Sequence, residues 1–321
     1  MPPVAGTGRP SRRLRLRSRR SESSPVEVTM RTVFVLLPGR KEENDHYQLL
    51  QEETAIATGA RLGLRTEVAW APAFDQLRTL KKRFLAPGPP DAVVVEPVSQ
   101  STTSLLLREL RGRAGMVLLN AWSPDVEDAA RAWDRASPFG SVSTDHAAIG
   151  RVQGEQVLRL ARGGPVLCVT GPRRSSAAQE RLEALRSTVG EGASLVDTEA
   201  GEWTEAAGIM AFGDWYRVFK SRNPALAAVA AQSDELAVGV GSAIRALPDA
   251  AHRAALAPAR LLGVDACPGY GRRLVDEGTL AASVVTPANT GLALELLQAF
   301  WGEGRPLPLR SFTAPSPHPP A

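Results

Sequence analysis

The sequence predicts an α/β fold built as two doubly wound lobes, each with a parallel β-sheet, and three observations support this prediction. From residue 31 onward, short apolar runs alternate with segments of helical length. Several of these runs are apolar at consecutive positions, which is typical of parallel strands covered by helices on both faces. Nine such runs, read as strands, are more than a sheet of typical size contains. A chain of 321 residues is long enough for two lobes.

The predicted strands determine where functional residues are expected. In doubly wound lobes, ligands bind outside the carboxyl ends of the parallel strands. We therefore expect functional side chains directly after the strands rather than within them. The predicted strands are residues 33–37, 66–69, 92–95, 116–119, 166–170, 194–196, 227–230, 261–264 and 282–285.

Three segments between the strands have the length and apolar periodicity of helices. The first of them follows Asn44 and Asp45, which are residue types that cap helix starts, and it is followed by Gly63. The predicted helices are residues 45–62, 176–189 and 290–301, the last with an apolar face of Leu292, Leu296 and Phe300.

The net charge of +4 comes from the first residues of the chain. Residues 1–24 contain seven arginines and one acidic residue, so the remaining chain carries a net charge of −2. A nearly neutral body gives no electrostatic support for nucleic-acid binding. No apolar run is long enough to predict membrane insertion. The two cysteines, Cys168 and Cys267, are too few for a disulfide framework or a thiolate metal site.

Residues 1–29 are rich in arginine, serine and proline, and they lack the apolar periodicity of a folded segment. We expect this tail, and residues 316–321 at the other end, to be disordered. The pair Arg12–Arg13 is not followed by the apolar stretch of an export signal, so we recognise no export signal in this segment. Nonspecific phosphate binding by the tail and translation from Met30 are open alternatives.

The sequence carries no signature of catalytic, metal or phosphate chemistry. It lacks the Gly-x-Gly-x-x-Gly pattern and the phosphate-loop motif, and its glycine pair Gly239 and Gly241 lies within a helical pattern. The four histidines have no zinc-like spacing, and no Gly-x-Ser-x-Gly elbow occurs. These residues predict neither an enzyme nor a protein with a cofactor or metal.

The segments that follow the predicted strands resemble type I periplasmic solute-binding proteins, the substrate-binding components of ABC transporters, and the ribose-binding group in particular. The resemblance covers roughly residues 31–312 and rests on the order and spacing of short motifs that are individually weak. The motifs are residues 91–98 (DAVVVEPV), 143–146 (STDH), 171–181 (GPRRSSAAQER), 231–239 (AQSDELAVG), 263–265 (GVD) and 277–285 (EGTLAASVV).

The resemblance implies a non-catalytic receptor whose two lobes, joined by three crossovers, close on a small solute that is usually a sugar. The expected N-terminal lobe comprises residues 30–143 and 267–303, and the expected C-terminal lobe comprises residues 144–266 and 304–315. The implied partner is an ABC transporter permease or a sensor protein. The family implies the cell envelope or periplasm, whereas the lack of a legible signal leaves the cytoplasm as the alternative. An alternative function is the ligand-sensing core of a lac-repressor-like transcription regulator without its DNA-binding domain.

The resemblance also implies ligand-binding positions, some of which differ from the family pattern. Glu96 stands where the family has asparagine, Asn120–Ala121 replaces an Asp–Arg pair, and Gln179 stands at an arginine position. Both arginines of the ribose pattern are thus absent, which favours a neutral sugar or polyol held between planar polar side chains and aromatic rings. The implied ligand-binding residues are Asn44, His46, Tyr47, Glu96, Asn120, Gln179, Trp203, Ser233, Asp265 and Thr286.

Each of these positions has a structural alternative that the sequence leaves open. Asn44 can serve only as a helix cap, and Asp265 can order the turn after its strand. Tyr47 and Trp203 can be ordinary packing residues. Glu96, which precedes a proline, can be solvated at a strand end.

Overall fold

The computed structural model describes residue 1 and residues 30–43, 45–222 and 224–320, so the predictions for residues 2–29, Asn44 and Ala321 lie outside the described residues. The strands are β1 (Thr32–Pro38), β2 (Arg65–Ala71), β3 (Ala92–Val95), β4 (Gly115–Leu119), β5 (Phe139–Thr144), β6 (Val166–Thr170), β7 (Leu195–Glu199), β8 (Ala228–Ala231), β9 (Arg260–Leu262), β10 (Ser283–Val285), β11 (Arg310–Thr313) and β12 (Ser316–His318). The helices are α1 (His46–Leu62), α2 (Gln76–Leu85), α3 (Gln100–Leu110), α4 (Pro124–Arg131), α5 (His146–Ala161), α6 (Ser176–Val189), α7 (Glu205–Phe219), α8 (Asp234–Arg245), α9 (Ala250–Leu256), α10 (Gly271–Asp276) and α11 (Asn289–Glu303).

The strands form two parallel sheets, which confirms the predicted fold class of two doubly wound lobes. One sheet has the order β11-β5-β4-β3-β1-β2, and the other has the order β7-β6-β8-β9. All neighbours in both sheets run parallel. The antiparallel pair β10-β12 extends the second sheet through a bridge between Leu262 and Ala282.

The chain crosses between the lobes three times within the described residues. It leaves the first sheet after β5 and enters α5 in the second lobe, and it returns between β10 and α11. It crosses again between β11, which pairs with β5, and β12, which pairs with β10. Residues 144–145, 286–288 and 314–315 are therefore the three crossovers.

The strand pairing corrects the lobe boundaries expected near the C-terminal end. Residues 267–285 lie with the second lobe, not the first, because Cys267, Tyr270 and Leu274 belong to its core and β10 continues its sheet. Residues 310–313 lie in the first lobe, not the second, because β11 is an edge strand of the first sheet. Residues 316–318 were expected in a disordered tail, and they instead form β12.

Each of the nine predicted strands overlaps a strand of the structure, whereas β5, β11 and β12 were not predicted. Strand β5 contains Gly140, Ser141 and Ser143, and the buried Ser141 hydroxyl is satisfied by donating to the Ala121 carbonyl at 2.9 Å. Strands β11 and β12 have alternating or partial exposure. The predicted apolar face of α11 is also wrong by one position, since Ala293, Leu294 and Leu297 are its buried apolar residues.

The ends of α1 follow the predicted chemistry. The Asp45 carboxylate accepts a hydrogen bond from the Gln48 backbone N–H at 3.0 Å, which caps the first turn. Gly63 ends the helix with φ 68°, a left-handed conformation that suits glycine. Among the helices of the described residues, none is long and apolar enough to span a membrane.

Candidate functional site

The first lobe brings three predicted site residues together at the carboxyl ends of β3 and β4. Glu96 follows β3, and Asn120 follows β4. The Asn120 side-chain amide donates to Glu96 Oε1 at 3.0 Å, and Gln48 Nε2 donates to Glu96 Oε2 at 3.0 Å. Tyr47 lies beside them in the first turn of α1. Glu96 is therefore held between two neutral amides and is not solvated at a loose strand end.

Asn120 adopts φ 50°, a left-handed conformation that asparagine tolerates better than most residues. Its Oδ1 accepts from the Thr144 backbone N–H at 3.3 Å and from Asn289 Nδ2 at 2.9 Å. These bonds leave its amide group pointing to Glu96. The Asn120 side chain is thus fixed at both ends, with its amide group donating to Glu96 and its oxygen accepting from Asn289.

The electrostatics of this cluster favour neutral side chains. Burial raises the pKa of Glu96, the amides of Asn120 and Gln48 oppose that rise, and the nearby Asp45 adds to it. Burial also raises the pKa of Tyr47, and the charge of Glu96 acts in the same direction. Tyr47 is therefore a phenol that donates hydrogen bonds, and its hydroxyl lies 3.4 Å from the Pro287 carbonyl oxygen.

The second lobe contributes Asp265 from the turn after β9. This residue has φ 100°, and the following Ala266 has φ 42°. The turn is fixed by the buried Asp234, whose carboxylate accepts from the Ala266 N–H at 2.8 Å and from the Ser283 hydroxyl at 2.6 Å. Burial raises the pKa of Asp265 to about 6, although the Arg181 guanidinium opposes the rise.

Arg181 is a buried residue of this region that was not among the predicted ligand-binding residues. Its Nη1 donates to the Gln232 carbonyl at 2.7 Å, and its guanidinium lies 5.5 Å from the centre of the Trp203 ring. Burial lowers its pKa, while Asp265 and Tyr47 oppose that change. Gln179 still stands at the arginine position of the family pattern, but Arg181 brings a guanidinium next to the Trp203 ring. Arg181 lies only two positions after the predicted Gln179.

Two predicted residues do not join this cluster. The exposed Gln179 donates to the Arg173 carbonyl at 2.7 Å and lines a separate cavity of about 330 Å³ with Asp197 and Glu199. Ser233 is buried, and its hydroxyl accepts from the Leu236 N–H at 3.2 Å as the N-cap of α8. Helix geometry explains both placements, because one side chain turns outward and the other is used by the helix start.

Trp203 and Thr286 lie in the second lobe and at a crossover, respectively. Trp203 packs directly on Gly171, where any side chain would overlap the indole ring. Thr286 is buried, and its backbone N–H donates to the Asp265 carbonyl at 3.1 Å. Both residues therefore support the surroundings of Arg181 and Asp265.

His46 forms a direct contact between the lobes. Its ring stacks on Tyr270 of the second lobe with the ring centres 3.9 Å apart and the planes at 13°. The Tyr270 hydroxyl donates to Glu205 Oε1 at 2.7 Å. Burial lowers the pKa of His46, and the acids Asp45 and Glu205 oppose that effect. The stack keeps the first turn of α1 against the second lobe.

The site thus combines planar polar groups and aromatic rings from both lobes. Carboxylates and amides accept or donate in defined directions, and the rings offer flat apolar surfaces. Within the described residues, no cluster of three or more histidine, cysteine, aspartate or glutamate side chains could hold a metal ion. The arrangement suits a small solute with several hydroxyl groups.

Comparison with known families identifies a match across most of the chain. The model described as "Periplasmic binding protein domain" matches residues 73–299. That range includes every residue of the cluster except the first turn of α1. A comparison with curated protein sequences finds no match.

Solved structures share the fold at low sequence identity. The periplasmic component of the arabinose ABC transporter from Shewanella sp. ANA-3, bound to α- and β-L-arabinofuranose, has a TM-score of 0.71 at 20% identity and covers 88% of this chain and 89% of that chain. A periplasmic solute-binding protein from Actinobacillus succinogenes 130z with bound D-allose has a TM-score of 0.73 at 13% identity, with 90% and 97% covered. The Caulobacter myo-inositol-binding protein has a TM-score of 0.68 at 17% identity, with 90% and 94% covered.

Proposed function

The chain belongs to the periplasmic binding protein domain family, whose model matches most of its length, and we propose on this basis that it is a non-catalytic receptor for a small neutral sugar or polyol. The lobes close on the solute, and the closed receptor presents it to an ABC transporter or a sensor protein. The cell envelope is the proposed location.

One observation carries this proposal: the first turn of α1 packs against the second lobe through His46 and Tyr47, and polar residues of both lobes lie around this contact, which we call the cleft. Tyr47 and Glu96 belong to the first lobe, and Arg181 and Asp265 belong to the second. The charge of Asp265 raises the pKa of Tyr47 and that of Arg181 lowers it, and Tyr47 also packs against the core of the second lobe. A solute between them can contact both lobes only when the lobes are closed.

The chemistry of the cleft matches a polyol better than a charged metabolite. The Glu96 carboxylate accepts hydrogen bonds from two neutral amides, and the charge of Arg181 lowers the pKa of Asp265 against the effect of burial. Hydroxyl groups can donate to the carboxylates and accept from Arg181. The proposed ligand set is Tyr47, Glu96, Asn120, Arg181, Trp203, Asp265 and Thr286, with His46 acting at the lobe contact.

A thermal-shift screen tests the proposal. We expect at least one compound among L-arabinose, D-allose, D-ribose, D-fructose and myo-inositol to raise the melting temperature of the full chain. A ligand at one hundred times its Kd stabilises the folded state by about 2.7 kcal/mol, which corresponds to a rise of roughly 5 °C for a chain of this size. The absence of any shift across the five compounds would contradict the proposal.

A pair of variants then tests whether the ligand binds in the cleft. Asp265→Ala should weaken the affinity for the active compound at least about tenfold in calorimetry, because a hydrogen bond to a charged group contributes about 1.5–3 kcal/mol. Asp214→Ala removes an exposed carboxylate from α7 in the same lobe and serves as the control. Its affinity should stay within about twofold of the parent. Equal affinities for both variants would place the ligand elsewhere.

A further inference from the structure

Asn289 lies where the second crossover between the lobes enters a helix. It is the first residue of α11, directly after the second crossover, and it is completely buried. Its side chain therefore has to find its hydrogen-bond partners inside the protein. Those partners come from both of the other crossovers and from the cleft.

On one side, Asn289 contacts the ends of the strands that lead into the other two crossovers. Thr144 ends β5 at the first crossover, and Thr313 ends β11 at the third. The Thr313 hydroxyl donates to Asn289 Oδ1 at 2.8 Å, and Asn289 Nδ2 lies 3.4 Å from Thr144 Oγ1. One side chain thus joins all three connections between the lobes.

On the other side, Asn289 contacts two residues of the cleft. Its Nδ2 donates to Asn120 Oδ1 at 2.9 Å and lies 3.4 Å from the Tyr47 hydroxyl. Asn120 in turn donates to Glu96. A continuous path of hydrogen bonds therefore runs from Glu96 through Asn120 and Asn289 to Thr313.

The number of partners gives Asn289 more than one possible arrangement. A side-chain amide nitrogen carries two hydrogens, while three acceptors lie within 3.4 Å of this one: Asn120 Oδ1, Thr144 Oγ1 and the Tyr47 hydroxyl. A ligand that engages Asn120 or Tyr47 changes which acceptors compete for these hydrogens. The exchange of partners then alters the bonds at the crossovers.

We propose that Asn289 is a positioning residue that couples ligand contact in the cleft to the movement of the three crossovers. This inference rests on the proposed function, because it assumes that Tyr47, Glu96 and Asn120 face a ligand. A purely structural Asn289 would stabilise the fold without affecting the distribution of inter-lobe distances. The two roles can therefore be separated.

Two variants break the path at different points, and a third serves as a matched control. Asn289→Asp keeps an acceptor for Thr313 but removes both N–H donors. Thr313→Val leaves the cleft side chains intact and removes the donor at the third crossover. Thr290→Val removes a buried hydroxyl that donates to the Gln51 carbonyl at 2.8 Å, one residue away from Asn289 and outside the path.

The readout is the distance between the lobes, measured by double electron–electron resonance. Spin labels are attached to Leu85→Cys in the first lobe and Met210→Cys in the second, both at exposed positions, while the native Cys168 and Cys267 are buried. Without added sugar, Asn289→Asp and Thr313→Val should each broaden the distance distribution or shift it to longer values. Thr290→Val should keep the distribution of the parent.

Affinity is measured on the same variants with whichever of the five screened compounds gives the largest thermal shift. We expect Asn289→Asp and Thr313→Val to weaken binding by about fivefold or more, the lower range of energetic coupling between sites. Thr290→Val should lie within about twofold of the parent. If Thr313→Val and Thr290→Val have the same inter-lobe distance distribution and the same affinity, Asn289 does not couple ligand contact to the crossovers. This conclusion holds even if Asn289→Asp fails to fold. If no compound binds the parent, the proposed function fails, while the sugar-free distances still decide the hinge role.

Discussion

Asp265 shows how one residue depends on the backbone around it. Its φ of 100° lies in a region that a residue with a Cβ adopts only with strain, which generally costs about 1–3 kcal/mol. The buried Asp234 offsets this cost by accepting from Ala266 N–H and the Ser283 hydroxyl. In this turn the pKa of the Asp265 carboxyl is raised by burial and lowered by the charge of Arg181.

The stability of the protein should depend on the ionisation of Asp265. Burial raises its pKa from 3.8 to about 6, so the folded state prefers the protonated form more than the unfolded state does. Stability supplied by this preference is present at low pH and is lost as the pH rises from about 4 through about 6. The melting temperature of the parent minus that of Asp265→Asn should therefore fall across this range and then level out. A difference that stays constant between about pH 4 and about pH 7 would contradict the assigned pKa.

Arg181 shows why a residue of the site escaped prediction. Two positions along an α-helix correspond to a rotation of about 200°, so Gln179 and Arg181 lie on opposite faces of α6. The motif indicated that this helix takes part, but the motif alone did not indicate which face is buried. Asn289 escaped for a different reason, since its role comes from contacts with residues that are more than 140 positions away along the chain, in Asn120 and Thr144.

Helices α5 and α6 pack closely, and this contact positions Arg181. A Cβ at Gly150 would overlap the Arg181 carbonyl oxygen, and one at Gly154 would lie 2.7 Å from Thr188 Cβ. Glycine at these positions lets the two helices approach each other. The position of Arg181 thus depends on the packing of α5 against α6 as well as on its own contacts.

Gly150→Ala should lower the stability of the protein by about 1–3 kcal/mol, because the added methyl group forces α6 away from α5. Gly213→Ala in α7 is the control, since a Cβ at that position meets no atom within 4 Å. The control should be neutral or stabilising by up to about 1 kcal/mol, through the higher helix propensity of alanine. Urea denaturation measures both values. Equal stability for the two variants would show that α5 and α6 can separate without cost.

The strands illustrate how far the sequence predicts the fold. Strands β3, β4 and β6 are buried along their whole length and are almost entirely apolar, so their sequences clearly predict buried strands. Strand β5 was missed because the buried Ser141 and the half-buried Ser143 have hydrogen-bond partners that only the folded chain supplies. The placement of β11 in the first sheet depends on pairing with β5 far along the chain, and composition carries no information about such a partner.

The two lobes meet through contacts that only the whole chain can form. His46 from the first lobe stacks on Tyr270 from the second, and Tyr47 packs against the apolar core of the second lobe. Three crossovers join the lobes, and Asn289 connects them to the cleft. In this account, a solute that contacts both lobes favours the form in which these contacts are made.

Small-angle X-ray scattering measures whether the lobes close on the solute in solution. The full chain is measured without ligand and at saturation with the compound that gives the largest thermal shift. We expect a smaller radius of gyration with the compound, because binding moves the population towards the form in which the lobes are in contact. Scattering profiles that coincide at confirmed saturation would contradict a receptor that closes its lobes on the solute.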